Sequence, residues 1–302
     1  MLAIIIPFYK LIFFEETLES LASQTDQRFR VYIGDDASPE DPKYLLEKYK
    51  QKFDFIYHRF EANFGGNSLV KQWQRCIELI DDEKYLMILG DDDVLSDNVV
   101  ESFYIHFEAF NQKSNVIRYA SKIIKQELNS LSEIYTHPVW EKPTDSYYRK
   151  YQWLSRSSLS EYIFTREVYN KFGFNDFPLA WYSDDMAWLE FSDKKPIYTI
   201  NDAVVFFRLS PNNISGREDN LEEKEKSEFL FYKKFIKNHL SECTLEQKKI
   251  FLLELGIAAK QTKQLDFDTC FLIALGLLKN CLFYSFAKFI RRVYRAKFNT
   301  ST

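Results

Sequence analysis

Apolar runs with strand spacing alternate with helically spaced stretches along the first hundred residues. Leu2 to Tyr9 (LAIIIPFY) is nearly all apolar, the pattern of a strand buried on both faces. Phe13 to Ser23 follows with helical spacing at Phe14, Leu18 and Leu21. Residues 29–36 (FRVYIGDD) form a second strand ending in acids, 42–51 a helix, and 53–60 (FDFIYHRF) a third strand. The glycine turn NFGGNS leads into an amphipathic helix over 69–80, with Val70, Trp73, Ile77 and Ile80 on one face. A fourth strand, KYLMILG, closes the series. This alternation predicts a mostly parallel sheet with helices on both faces. Ligands of such sheets bind outside the carboxyl ends of the strands, where the first two acidic clusters fall.

Beyond Val99 the pattern gives a helix to Phe110, strands and loops over 115–140, and a polar loop over 141–160. YIFTREVYNKFG reads as a short strand turning into a helix, 196–209 as two short strands, and everything from Glu222 onward as helix. The charged stretch from Asn212 to Glu225 is the best boundary. The expected division is a catalytic domain over 1–217 and a helical region over 218–302. Within the first, about 1–110 would be a nucleotide-binding half and 111–217 an acceptor half.

Composition narrows the class. The chain has 302 residues, 46% of them apolar and 17% aromatic, enough for a sizeable core. Cys76, Cys243, Cys270 and Cys281 have no paired or zinc-type spacing, so they read as free thiols of a cytoplasmic protein. The first apolar run ends at Lys10, too short for a signal peptide or a membrane span. Net charge is −4, yet from Thr269 on there are six basic residues and no acidic one. An acidic body argues against nucleic acid as a partner, and the basic tail asks for its own explanation. Phe271 to Phe286 is apolar but broken by Lys279 and Asn280; Arg291, Arg292 and Arg295 then lie between aromatics. This suits peripheral contact with an anionic membrane, and equally a helical hairpin packed on the catalytic domain or a dimer contact.

The chemistry sits in three acidic clusters. In YIGDDASPED, Asp35 and Asp36 follow a strand; with Ser38 and Pro39 they also suit a capped turn. In LMILGDDDVL, Asp91, Asp92 and Asp93 stand side by side, reasonable only for a solvated group or one neutralised by a cation. In WYSDDMAWLEF, Asp184 and Asp185 lie among aromatics; such carboxylates can act as a general base or begin a helix capped by Ser183.

The ordered set resembles family-2 glycosyltransferases of the GT-A fold. IIIPFYK resembles their first strand, VYIGDDASPED a DDGS-type motif and NFGGN the Asn-x-Gly loop. LMILGDDDVL resembles the DxD stretch, YSDDMAW the acidic pair that holds the base, and FFRLSPNNIS the closing Arg-x-His…Asn-x-Ser segment. The resemblance implies that Pro7, Tyr9, Asp35 and Asp36 line a base and ribose pocket, joined by Asn63 and Gly65 of the loop. Asp91 and Asp93 would hold Mn²⁺ or Mg²⁺ against a sugar-nucleotide diphosphate, with Asp92 near the sugar or ribose. Asp185 would deprotonate the acceptor hydroxyl and the anomeric centre would invert. Trp181, Tyr182 and Asp184 would lie on the acceptor side, and Arg208 would contact the diphosphate or end a strand at the surface. Ser210 stands where the family often has His, which bears on metal dependence. The implied partners are a nucleotide sugar, a uridine diphosphate sugar first, and a glycan or lipid-diphosphate-linked acceptor in bacterial surface polysaccharide synthesis, such as capsule. Its implied place is the cytoplasmic face of the membrane. The rivals are an inactive docking subunit of the same fold and a sugar nucleotidyltransferase; IIIPFYKLIFFEE lacks the glycine-rich basic signature of the latter.

Overall fold

The computed structural model describes residues 1–210 and 220–298. The chain forms two compact units: Met1–Asp176 with the described part of Ser183–Arg217, and Phe177–Tyr182 with the described part of Glu218–Thr302.

The first unit opens with alternating elements: β1 (Leu2–Phe8), α1 (Phe14–Ala22), β2 (Phe29–Asp35), α2 (Lys43–Tyr49), β3 (Phe55–Arg59), α3 (Leu69–Ile77) and β4 (Tyr85–Ile88). It continues through β5 (Val94–Leu95), α4 (Val99–Ile105), α5 (Phe107–Phe110), β6 (Val116–Lys125), β7 (Ser130–Leu131) and β8 (Trp140–Glu141). Then come α6 (Pro143–Tyr151), β9 (Tyr162–Thr165), α7 (Arg166–Phe172), α8 (Ser183–Phe191) and β10 (Ile197–Leu209).

Main-path strand order is β3-β2-β1-β4-β9-β6-β10-β5. β3, β2, β1 and β4 run parallel. β9 is antiparallel to both its neighbours, β10 is parallel to β6, and β5 is antiparallel to β10. The isoleucines of β1 are fully buried, as their unbroken run requires of a central strand covered on both faces. From β1 the chain steps one way to β2 and β3 and the other way to β4, so the topological switch point lies between β1 and β4.

Two expectations need correction. Residues 141–160 are not simply a loop: α6 occupies their first half, with Pro143 in its first turn, where proline's fixed φ and missing N–H suit a helix start. Residues 196–209 form one strand rather than two, with a register shift between Ile200 and Val204.

The second unit contains α9 (Leu221–Asn238), α10 (Leu245–Gln261), α11 (Phe267–Lys279) and α12 (Phe283–Phe298). Thr244 and Gln247 form a reciprocal capping box at α10, and the Asp266 carboxylate accepts from Thr269 N–H to start α11. A Cβ at Gly276 would meet Leu252 at 2.6 Å, so glycine lets α11 approach α10 closely. Cys76 and Cys243 are buried free thiols, and Cys270 and Cys281 are also free.

Candidate active site

The acidic triplet occupies the tight turn between β4 and β5. Asp93 N–H donates to the Gly90 carbonyl at 3.3 Å, and the short pairing of β5 with Val205 and Phe206 of β10 holds the far end. Asp91 reaches across the switch point: its Oδ2 accepts from the backbone N–H of Tyr9 at 2.7 Å and of Lys10 at 2.8 Å. Asp93 is buried; Oδ1 accepts from Arg208 N–H at 2.9 Å and Oδ2 from the Ser160 hydroxyl at 2.5 Å. Burial, with the Asp92 charge adding to it, pushes both carboxyls up to about 7. The turn therefore gathers three carboxylates where burial and their mutual repulsion favour the protonated form.

Gly90 shows where that charge converges. A Cβ there would lie 3.0 Å from Asp92 Oδ1 and 3.0 Å from Asp93 Oδ2, so both carboxylates face the space above this residue. Among the described residues, no three His, Cys, Asp or Glu side chains form a complete metal cage. A few hard carboxylate oxygens, with the rest left to a diphosphate and water, are what Mg²⁺ and Mn²⁺ take in nucleotide sites. The donor chemistry fits such an ion.

Arg208 does not end its strand at the surface, the alternative to the diphosphate contact. Its guanidinium is buried, donating to the Asp92 carbonyl, to Gln126 and to Glu16, and lies over the Phe13 ring. With its N–H on Asp93, it clamps the acidic turn from behind. Ser210 is buried beside it; Pro211 to Ser215 of the closing motif lie outside the described residues.

Asp35 and Asp36 are buried and fix the loops around the carboxyl ends of β1, β2 and β3. Asp35 accepts from Ser38 N–H at 2.8 Å, the Tyr57 hydroxyl at 2.5 Å and Arg59 at 2.8 Å. Asp36 accepts from Phe64 and Gly65 N–H at 2.7 and 2.8 Å and pairs with Arg75. A Cβ at Gly65 would come within 2.6 Å of Asp36 Oδ2, so glycine permits this grip. Asn63 accepts from Gly66 N–H at 2.7 Å and closes the same loop. The Ser38 hydroxyl donates to the Tyr9 carbonyl at 2.6 Å, which ties the residues after β1 to those after β2. Pro7 of β1 is in register with Gly34 of β2. Tyr9 is 39% exposed, so its ring is open to a ligand.

The second acidic pair starts α8. Asp185 is buried, and its Oδ2 pairs with Lys150 of α6 at 2.5 Å; Oδ1 has no partner among the described residues. Burial works against the Lys150 charge, but Asp185 and Asp184 more than offset it, so this ammonium holds its proton tightly. Asp184 differs: burial and the Asp185 charge push it up to about 7, against the pull of Lys150, while its Oδ1 accepts from Asp185 N–H. Ser183 does not cap with its side chain, since its buried hydroxyl has no partner. Asp185 and Lys150 line a small cavity of about 10 Å³ with Arg156, Tyr162 and Trp188. That volume admits roughly one water. The Tyr162 and Trp188 rings stack at 4.1 Å. Ser160, just before β9, bonds Asp93, so one short segment supports both acidic sites.

Trp181 and Tyr182 belong to the second unit. Tyr182 stacks on Phe231 of α9 at 4.8 Å, and the Lys224 ammonium lies over the Trp181 ring. Sequence reasoning missed Tyr57, Arg59, Arg75, Lys150 and Ser160. For Lys150 there was a signal: proline followed by a polar, helix-compatible stretch marks a helix start. For the others there was none, since a partner across the sheet leaves no local trace.

Residues 3–188 match the family model described as Glycosyl transferase family 2. No curated protein matches the chain. Among solved structures, S. aureus TarS 1-349 in complex with UDP-GlcNAc superposes with a TM-score of 0.66 at 15% identity, covering 92% of this chain and 80% of that one. The same TarS fragment in complex with UDP gives 0.57 at 16% identity, covering 98% and 89%. These likenesses establish a shared GT-A fold.

Proposed function

The chain belongs to glycosyl transferase family 2, and on that premise we propose that it moves a sugar from a nucleoside diphosphate sugar, a UDP-sugar first, to a hydroxyl of a glycan or lipid-linked acceptor, with inversion. The observation that carries this reading is the turn of three adjacent carboxylates at the switch point, two of them pushed up to about 7, placed where α/β sheets of this kind bind nucleotides. The TarS fragments, whose complexes contain UDP-GlcNAc and UDP, support the donor class. Assembly of a bacterial surface polysaccharide is the role that fits such an acceptor.

Asp91 and Asp93 would hold a divalent cation, with Asp92 facing the same space. When bound, that ion supplies Lewis-acid neutralisation of the departing diphosphate. Pro7, Tyr9 and the loops gripped by Asp35, Asp36, Asn63 and Gly65 shape the base and ribose side. Arg208 keeps the acidic turn in place from the protein side.

Asp185 is the general base. Lys150 holds one carboxylate oxygen, orienting the group, and leaves Oδ1 to accept the acceptor hydroxyl's proton as the oxygen attacks the anomeric carbon from the face opposite the leaving group. Asp184 supports the acceptor side, with burial and then its neighbour's charge pushing it up to about 7. The test is release of free nucleoside diphosphate from donor plus acceptor. Asp185→Asn should lower kcat by a factor of about 10²–10⁴ while leaving nucleotide binding intact. Asp184→Asn should retain much more activity; the opposite ranking would transfer the base role to Asp184. Nucleotide binding without turnover for any donor would favour the docking-subunit reading.

A further inference from the structure

We propose that the exposed faces of α11 and α12 dock on an anionic lipid bilayer. On α12, Phe283, Ala287, Ile290 and Tyr294 recur at i, i+4, i+7 and i+11, one narrow stripe of a 3.6-residue helix. The stripe faces solvent: Phe283 is 63%, Ile290 44% and Tyr294 61% exposed. Immediately beside it, at the same spacing, lie exposed Lys288, Arg291 and Arg295, with Arg292 beyond them. The opposite face, through Ser285 and Phe289, is buried. The helix therefore presents a core face, an apolar stripe and a cationic band in sequence around its circumference. A helix lying in a membrane interface needs the last two side by side, so that the stripe enters the acyl boundary while the cations meet headgroups.

α11 repeats the apolar half of this pattern. Phe267, Phe271 and Leu278 are exposed at i, i+4 and i+11, and the two phenylalanine rings stack at 6.0 Å. No acidic residue follows Asp268 to the end of the sequence. Charge complementarity selects the occupant. A second copy of this chain would bring one cationic band against another, which repels. A nucleic acid would match the cations and leave the apolar stripes in water. An anionic bilayer satisfies both. Among the described residues no helix is long and apolar enough to cross a membrane, so the contact is with the surface.

The test is co-sedimentation of the full chain with vesicles of phosphatidylcholine alone and of equal parts phosphatidylcholine and phosphatidylglycerol. Binding is expected only to the second, weakening as salt rises. The variant R291Q/R292Q/R295Q should bind more weakly, by roughly fivefold for each cation removed, and the charge-reversed R291E/R292E/R295E weaker still. The variant F283S/I290S/Y294S should also release. These side chains are exposed, and unchanged thermal melts of all three variants would show that the fold is intact. Three results would overturn the proposal: no binding to anionic vesicles at low salt, equal binding to both vesicle types that ignores charge reversal, or a solution dimer that the serine variant dissolves while vesicles stay unbound.

Discussion

At the residue scale, burial and the neighbouring Asp92 charge dominate the behaviour of Asp93. Asp93 holds its proton up to about pH 7 in the folded chain, whereas an unfolded aspartate releases it near 4. Between those values the native state binds more protons than the unfolded one, so stability falls as pH rises from about 4 to about 7, and the penalty is fully present above 7. Asp93→Asn removes that penalty and can keep both local hydrogen bonds. In chelator, the variant should therefore be more stable than wild type at pH 8, by about 1–3 kcal/mol, with the gain vanishing near pH 4; thermal melts across pH measure this. Ala37 offers a second test. It follows Asp36 with φ of 52°, a left-handed conformation that disfavours a side chain. The DDGS-type motif has glycine there, and Ala37→Gly should raise stability by up to about 1 kcal/mol without altering nucleotide binding.

At the scale of elements, what the sequence showed well was what local spacing encodes. The alternation from β1 to β4 was legible because unbroken isoleucines and three-to-four-residue periodicity report burial directly. Each acidic cluster could be placed after its strand or at its helix start for the same reason. Partners were not legible. Nothing local pairs Asp35 with Tyr57, Asp93 with Ser160, or turns Arg208 inward on Glu16, because these contacts depend on strand order. The helix α6 was hidden by its polarity, since its buried positions are Pro143, Thr144, Ser146 and Tyr147 rather than aliphatic residues, and the rest is half-buried. That helix delivers Lys150 to Asp185. Lys150→Met should lower kcat more than it raises KM, because the base loses the group that orients it. An unchanged kcat would reduce Lys150 to packing.

At the scale of the whole molecule, two units divide the labour. The first carries the sheet, the switch point and both acidic sites; the second carries the helices with the cationic, partly apolar surface. Trp181 and Tyr182, expected on the acceptor side, contact α9 in the second unit: Tyr182 stacks on Phe231 and Lys224 lies over Trp181. The central claim concerns the first unit alone: its acidic turn is completed by a divalent cation and a nucleoside diphosphate. The most direct test is calorimetric titration of UDP, GDP, CMP and dTDP, each with and without Mn²⁺, into wild type and Asp93→Ala. We expect UDP to bind only with Mn²⁺ and the variant to lose that binding. Equal binding with and without the ion, or undiminished binding by Asp93→Ala, would contradict the role given to the turn.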